Sequence, residues 1–250
     1  CGPVTLAMPQ DVQTMAFDYP VHFFDEKIHR PRRQAADRDE LARAIELIKQ
    51  ASKPLVIAGG GVHYADAREA LDALVSAYHL PVGETQAGKG ALPWDHEQNM
   101  GTIGVTGASS TNTLAAEADL IIAVGTRLGD FASGSRAMIN PEAKLLCLNV
   151  ASFDAVKHKA QPLVGDARLT LPELTDGLAG WQPDGEWIER AAKLRSEWNK
   201  AVDIATTDRG TDLPTDAEVV GAVNRAAGER DIVVCAAGGL PGELQKLWRT

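Results

Sequence analysis

The stretch Lys53-Pro54-Leu55-Val56-Ile57-Ala58-Gly59-Gly60-Gly61-Val62 constrains the fold of this chain more than any other. Four apolar residues run without a polar break, three glycines follow, and a helical pattern begins at about Ala65. A short apolar run bounded by Pro and Gly reads as a strand buried on both faces. Glycines between strand and helix let the backbone turn sharply and approach a neighbour closely. A helix opening there aims free N–H groups at whatever lies above the sheet edge. The stretch predicts the first strand and crossover of a parallel α/β domain.

The remaining pattern extends that reading. Val4 to Met8 predicts a short strand that stops at Pro9, and Arg30 to Ala36 a charged, Pro-containing connector. Asp37 with Glu40 reads as a capping box of the Asx type before the helical spacing of Leu41, Ala44, Ile45 and Ile48. Ala70, Leu71, Leu74, Val75 and Tyr78 mark a second helical face. Leu80-Pro81-Val82 begins a short strand, and Gly101 to Val105 is a strand or a turn. Thr111 to Ala118 reads as helix. Asp119 to Gly125, Ala143 to Val150 and Pro162 to Gly165 read as strands, with Asp166 capping the helix that follows. Strands alternating with helices at this spacing predict a doubly wound, mostly parallel sheet with helices on both faces. Trp187, Ala191, Leu194, Trp198 and Val202 form the stripe of a long helix, and Thr215 with Glu218 a second capping box. Asp231 to Ala236 predicts a further buried strand that turns through Ala237 to Gly242 into a last helix. One strand and one helix close no core, so the end of the chain reads as the opening of a second α/β domain.

Composition excludes several classes. A formal charge of −9 argues against nucleic acid, whose phosphates need clustered Lys and Arg. The one basic block, Arg30 to Arg33, reads as a solvated linker. No apolar run reaches the roughly 18 residues that span a bilayer. Cys1-Gly2-Pro3 reads as neither a signal peptide nor a natural N-terminus. Cys147 and Cys235 lie in apolar runs, which predicts buried free thiols in a cytoplasmic protein.

The chemistry-bearing candidates all follow strands. Gly83 to Gly90 nearly spells a P-loop, but Gly90 stands where Mg2+ needs a Ser or Thr hydroxyl. Two readings of Lys89 stay open: a solvated loop cation, or a contact to an anionic ligand at the sheet edge. Gly59, Gly60 and Gly61 do not make the spaced-glycine dinucleotide fingerprint, and Glu84 is only a loose ribose-binding acid. Close packing explains the glycines equally well. Arg127, past the strand ending at Gly125, either meets a phosphate or carboxylate or holds Asp130. The six histidines share no ligand spacing, and Asp95-His96-Glu97 reads as surface loop. Trp187 and Trp198 read as packing. No acid–base pair can be named.

In series, the segments resemble a family. Gly2 to Val12 resembles the exit of the pyrimidine-binding domain of thiamine-diphosphate enzymes. Lys53 to Gly61, Gly83 to Leu92, Asp119 to Asp130 and Ala143 to Val150 are similar to the central domain of the acetolactate-synthase group. Ile232 to Trp248 resembles the first strand and turn of the diphosphate-binding domain. Within the superfamily, Glu84 to Leu92 and Ala236 to Trp248 look most like the trihydroxycyclohexanedione hydrolases of inositol breakdown. The resemblance implies four parts: 1–36, the tail of the pyrimidine-binding domain and a linker; 37–180, the central domain; 181–214, a helix and linker; and 215–250, the start of the diphosphate-binding domain.

It implies a fragment of a C–C bond hydrolase using thiamine diphosphate and Mg2+, with none expected to bind the fragment, which is inactive alone. The catalytic Glu and the metal-binding stretch belong to the missing pyrimidine- and diphosphate-binding domains, so no catalytic residue lies in this stretch. Gly238, Gly239 and Leu240 would form a diphosphate turn. Gly59, Gly60, Gly61, Lys89 and Arg127 would mark a vestigial nucleotide crevice. Phe131 stands where flavin-using relatives carry Arg, which argues against FAD, although Arg127 is retained. The parent would be a homodimer or homotetramer. The alternatives are a carboligase of the acetolactate synthase or glyoxylate carboligase type, and a stand-alone nucleotide-binding module.

Overall fold

A computed structural model describes residues 4–30, 32–210, 212–228 and 230–250. The chain falls into two compact units, residues 1–33 and 34–250. In the first, two single-turn 3₁₀ helices, Val12–Thr14 and Val21–Phe24, are the regular elements among the described residues. Phe17, Tyr19, Phe23 and Phe24 stack on one another with centroids 5.0–6.1 Å apart. The strand predicted over Val4–Met8 is not formed: those residues are exposed and pair with no other strand among the described residues. An extended segment becomes a strand only when another backbone takes its N–H and C=O groups. Cys1-Gly2-Pro3, where the resemblance at this end begins, lies outside the described residues.

The second unit is built on six parallel strands: β1 Pro54–Ala58, β2 Val82–Glu84, β3 Asn99–Thr102, β4 Leu120–Val124, β5 Lys144–Asn149 and β6 Gln161–Val164. Their order is β3-β2-β1-β4-β5-β6, a doubly wound sheet whose order reverses between β1 and β4. Leu55 pairs with Ile121 and Ile57 with Ala123. Both central strands are buried at every position, as their unbroken apolar runs predict. Asp119 fixes their entry: its carboxylate accepts from Ser52 N at 2.8 Å and Lys53 N at 2.9 Å.

The connecting helices are α1 Arg38–Lys49, α2 Gly60–Tyr64, α3 Arg68–Ala77, α4 Ser109–Glu117, α5 Asp130–Ser133, α6 Ser152–Ala155 and α7 Ala167–Gly177. Val56, Leu71, Leu74, Ile122, Leu171 and Leu174 belong to the core on one face of the sheet. Leu55, Ile57, Leu114, Ile121 and Trp187 belong to the core on the other. The helical pattern predicted from about Ala65 is two helices: α2 opens directly at Gly60, and Asp66 with φ 56° separates it from α3. The Asp37 cap is present, but Glu40 reaches across to accept from Val164 N at 2.7 Å instead of closing the box. Asp166 caps α7 as expected.

Three helices complete the unit: α8 Gly185–Thr206, α9 Asp216–Ala226 and α10 Gly239–Leu247. Val202, Val220, Leu247 and Trp248 make a third, smaller core among them. Trp187 is buried and donates from its indole to Pro54 O at 2.9 Å. The strand predicted over Asp231–Ala236 is not formed: Ile232 and Val234 are 89% and 90% exposed. Cys235 is exposed with it, against expectation, whereas Cys147 is buried. Among the described residues no strand lies beside this run, and a buried parallel strand needs a neighbour on each side. No helix among the described residues is long and apolar enough to cross a membrane.

Candidate functional site

The strand order places the predicted residues at the carboxyl edge, where open α/β sheets bind ligands. At the reversal point, however, two loops are in backbone contact. Gly59 N donates to Val124 O at 2.8 Å and Gly61 N to Gly125 O at 2.9 Å. A Cβ on Gly59 would lie 2.4 Å from Gly125 O, and one on Gly61 2.6 Å from Gly125 Cα. On the other side a Cβ on Gly60 would lie 3.1 Å from the Ala87 Cβ. These glycines serve loop-on-loop packing; two of their N–H groups already have partners. Arg127 is exposed and makes no ion pair among the described residues, so the alternative in which it holds Asp130 is not realised. Phe131, at the start of α5, is half exposed, and its carbonyl accepts from Val105 N.

Lys89 is not a freely solvated loop cation. The 3₁₀ turn Gln86–Gly88 carries it inward, with Thr85 Oγ1 accepting from Gly88 N at 3.1 Å. Its neighbour Glu84 is buried and accepts from Leu92 N at 3.1 Å. Burial pushes the Glu84 carboxyl above its ordinary range, opposed by that backbone N–H and then by the Lys89 charge. Burial likewise pushes the Lys89 ammonium down, opposed by Glu84. Both line a small cavity of about 30 Å³, with Trp94, Trp198 and Trp248–Thr250 around it. Room for little more than one water cannot admit a substrate. Arg249 closes the roof: it lies 4.4 Å from the Trp94 ring centroid and pairs with Asp203 at 2.7 Å.

The predicted diphosphate turn lies elsewhere on that side. Gly238 has φ 128° and opens α10, and nothing lies within 4 Å of a Cβ on Gly238 or Gly239. The turn is therefore open, at the N-terminus of a nine-residue helix. Gln245 fastens that helix beside the end of β3, accepting from Thr106 Oγ1 at 2.5 Å. Gly238–Leu240 and Lys89 are thus near opposite ends of α10, and Gly59–Gly61 form a third, separate place.

Two histidines to which the sequence assigns no role make contacts here. His63 Nε2 lies 3.1 Å from Lys89 O and ties α2 to the Lys89 loop. His96, read as surface, is largely buried and bridges Asp72 at 3.0 Å and Ser76 at 3.3 Å. This resembles a nucleophilic triad in composition only. His96 Nδ1 accepts from Gln98 N at 3.1 Å, so Nε2 carries the proton and donates to Asp72. Ser76 also donates to Asp72, at 2.8 Å, and has no base to activate it. The Cys147 thiol is pushed up to about 11, first by burial and then by the Asp154 charge, and is inert as a nucleophile. No group of three or more His, Cys, Asp or Glu among the described residues is placed to hold a metal ion.

Comparison with known proteins agrees with the fold. Residues 41–174 match the thiamine pyrophosphate enzyme central domain. The 3D-(3,5/4)-trihydroxycyclohexane-1,2-dione hydrolases of Bacillus cereus (strain AH820) and Bacillus thuringiensis (strain Al Hakam) are each 37% identical to the chain. That of Clostridium tetani (strain Massachusetts / E88) is 36% identical. Each match covers 99% of this chain and 42% of the relative, so the chain spans about two fifths of the length of the curated relatives it matches.

Proposed function

The chain belongs to the thiamine pyrophosphate enzyme central-domain family, and from that premise we propose that it is the middle of a thiamine-diphosphate-dependent C–C bond hydrolase that opens a cyclic dione in inositol catabolism. The observation that carries this is the reach of the similarity. It extends past residues 41–174 across 99% of the chain, flanks included, and the relatives so matched bear the dione hydrolase name. That name favours hydrolysis over the carboligase alternative. The backbone contact between the Gly59–Gly61 and Gly125 loops gives the stand-alone nucleotide module no support.

In this reading residues 1–36 end the pyrimidine-binding domain, 37–180 are the central domain, 181–214 a helical link and 215–250 the start of the diphosphate-binding domain. The central sheet holds its two neighbours at a fixed separation; it is a spacer, buried at every position of β1 and β4. Gly238, Gly239 and Leu240 fit a diphosphate contact, because the turn is open and a helix N-terminus presents unpaired N–H groups to an anion. When bound, thiamine diphosphate supplies the carbanion chemistry that breaks a bond beside a carbonyl. Mg2+ would be held by residues of the longer protein, as would the Glu that activates the cofactor. The Phe131 side chain offers no cation to a flavin. The parent is a cytoplasmic homodimer or homotetramer.

The test is direct. The full-length protein, given thiamine diphosphate and Mg2+, hydrolyses trihydroxycyclohexane-1,2-dione, and residues 1–250 alone do not. Formation of acetolactate from pyruvate by the full-length protein, with no dione hydrolysis, would move the assignment to the carboligases. Turnover by residues 1–250 alone would end the spacer reading.

A further inference from the structure

A cleft of about 830 Å³ lies at the opposite, amino edge of the sheet. That is within the range of small-molecule sites, roughly 300–1,000 Å³. Three elements wall it: α1, the loop entering β5, and the turn entering β6. Leu47, Pro141 and Leu145 give it apolar surface. Its charged lining is one-sided: Arg43, Arg136, Lys144 and Lys159 face one carboxylate, Glu46. None of the four cations has a side-chain hydrogen bond or ion pair among the described residues, although other Lys and Arg side chains pair elsewhere, as Arg190 does with Glu117 and Arg168 with Asp66. The chain as a whole carries −9, so the local field of the cleft opposes that of the molecule.

The backbone supplies a second, independent sign. Arg136, His158 and Lys159 line the cleft with φ of 71°, 59° and 60°, in the left-handed region. None is Gly, and such a conformation costs about 1 kcal/mol or more for each residue. The surroundings enforce it at Arg136, whose N–H donates to the buried Ser133 Oγ at 3.1 Å. Strained non-glycine residues of this kind gather at ligand clamps. Two guanidinium groups on different elements, two ammonium groups and an apolar wall suit an anion on an organic body, because Arg binds phosphate through two parallel N–H groups.

We propose that this amino-edge cleft binds a small organic phosphate ester, with Arg43, Arg136, Lys144 and Lys159 meeting the phosphate and Leu47, Pro141 and Leu145 the organic part. The site is independent of the dione hydrolase reading. Isothermal titration of residues 1–250 with glucose 6-phosphate should show saturable binding below ~1 mM, the weak end of specific association. Glucose should not bind, and inorganic phosphate should bind more weakly. The double variant Arg136→Ala/Lys159→Ala should bind at least about tenfold more weakly, as loss of charge-assisted hydrogen bonds requires, and Arg127→Ala at the carboxyl edge should bind unchanged. If the double variant does not fold, as judged by its thermal melt, Lys144→Glu at the exposed start of β5 serves in its place. Absence of saturable binding, binding that survives these substitutions, or equal loss in Arg127→Ala would overturn the site. Inorganic phosphate binding as tightly as the sugar phosphate would overturn the organic ligand.

Discussion

Gly88 leaves less room for a Cβ than the other described glycines that follow β1, β2 and β4. A Cβ there would sit 2.1 Å from Ala58 O, a backbone atom at the end of β1 that cannot move away. Gly88→Ala is expected to cost about 1–3 kcal/mol by overpacking, read from urea unfolding midpoints. Gly185, in the first turn of α8, has nothing within 4 Å, and Gly185→Ala should stabilise by about 0.5 kcal/mol through the unfolded chain. Glu84 gives a pH signature. Its pKa is raised by burial, so its favourable contribution is present below the ordinary carboxylate range and is lost as pH rises through the folded value. Glu84→Gln keeps an acceptor for Leu92 N and removes the charge. Relative to wild type it should gain stability as pH rises above the ordinary carboxylate range, and an unfolding midpoint difference that does not change with pH would refute the burial argument.

At the scale of elements, caps were readable because they are local. Thr215 Oγ1 accepts from Glu218 N while Glu218 accepts from Thr215 N at 2.6 Å, the reciprocal box that the spacing predicted. Arg209 adds a bond to Glu218 at 3.1 Å, and this pair, ahead of the Thr215 N–H, holds the Glu218 carboxyl well below its usual range. Thr215→Ala should cost about 1 kcal/mol and lower the melting temperature. The Glu218 contribution, present above the ordinary carboxylate pKa, should fade as pH falls through its depressed folded value, so Glu218→Gln should matter at pH 7 and progressively less in strong acid. Asp37 shows the limit of local reading. The Asp37 half of the predicted box forms, but Glu40 goes to Val164, 124 positions away in sequence, for a reason that exists only once β6 lies beside α1.

At the scale of the 34–250 unit, the described residues form two large cores on the sheet and one small core among α8, α9 and α10. The small one rests on four buried residues, so it should open without the rest. Leu247→Ala should speed hydrogen exchange in α9 and α10 and leave β1 and β4 protected. Uniform loss of protection across the sheet would show instead that the third core is part of one cooperative unit. Where Asp231–Ala236 stands exposed, the chain has a strand's composition without a strand's neighbours.

Sequence alone determined what depends on a few adjacent residues: the buried runs of β1, β4 and β5, the caps at Asp37, Asp166 and Thr215, and the winding that follows from alternating strands and helices. Tertiary structure decided what depends on meeting. It drew Lys89 partly out of water near Glu84, occupied Gly59 and Gly61 with the Gly125 loop, fixed the tautomer of His96, and collected Arg43, Arg136, Lys144 and Lys159 around one cleft. The reason is physical: periodicity reports which face of an element avoids water, whereas hydrogen-bond partners, burial of charge and clefts arise between elements distant along the chain.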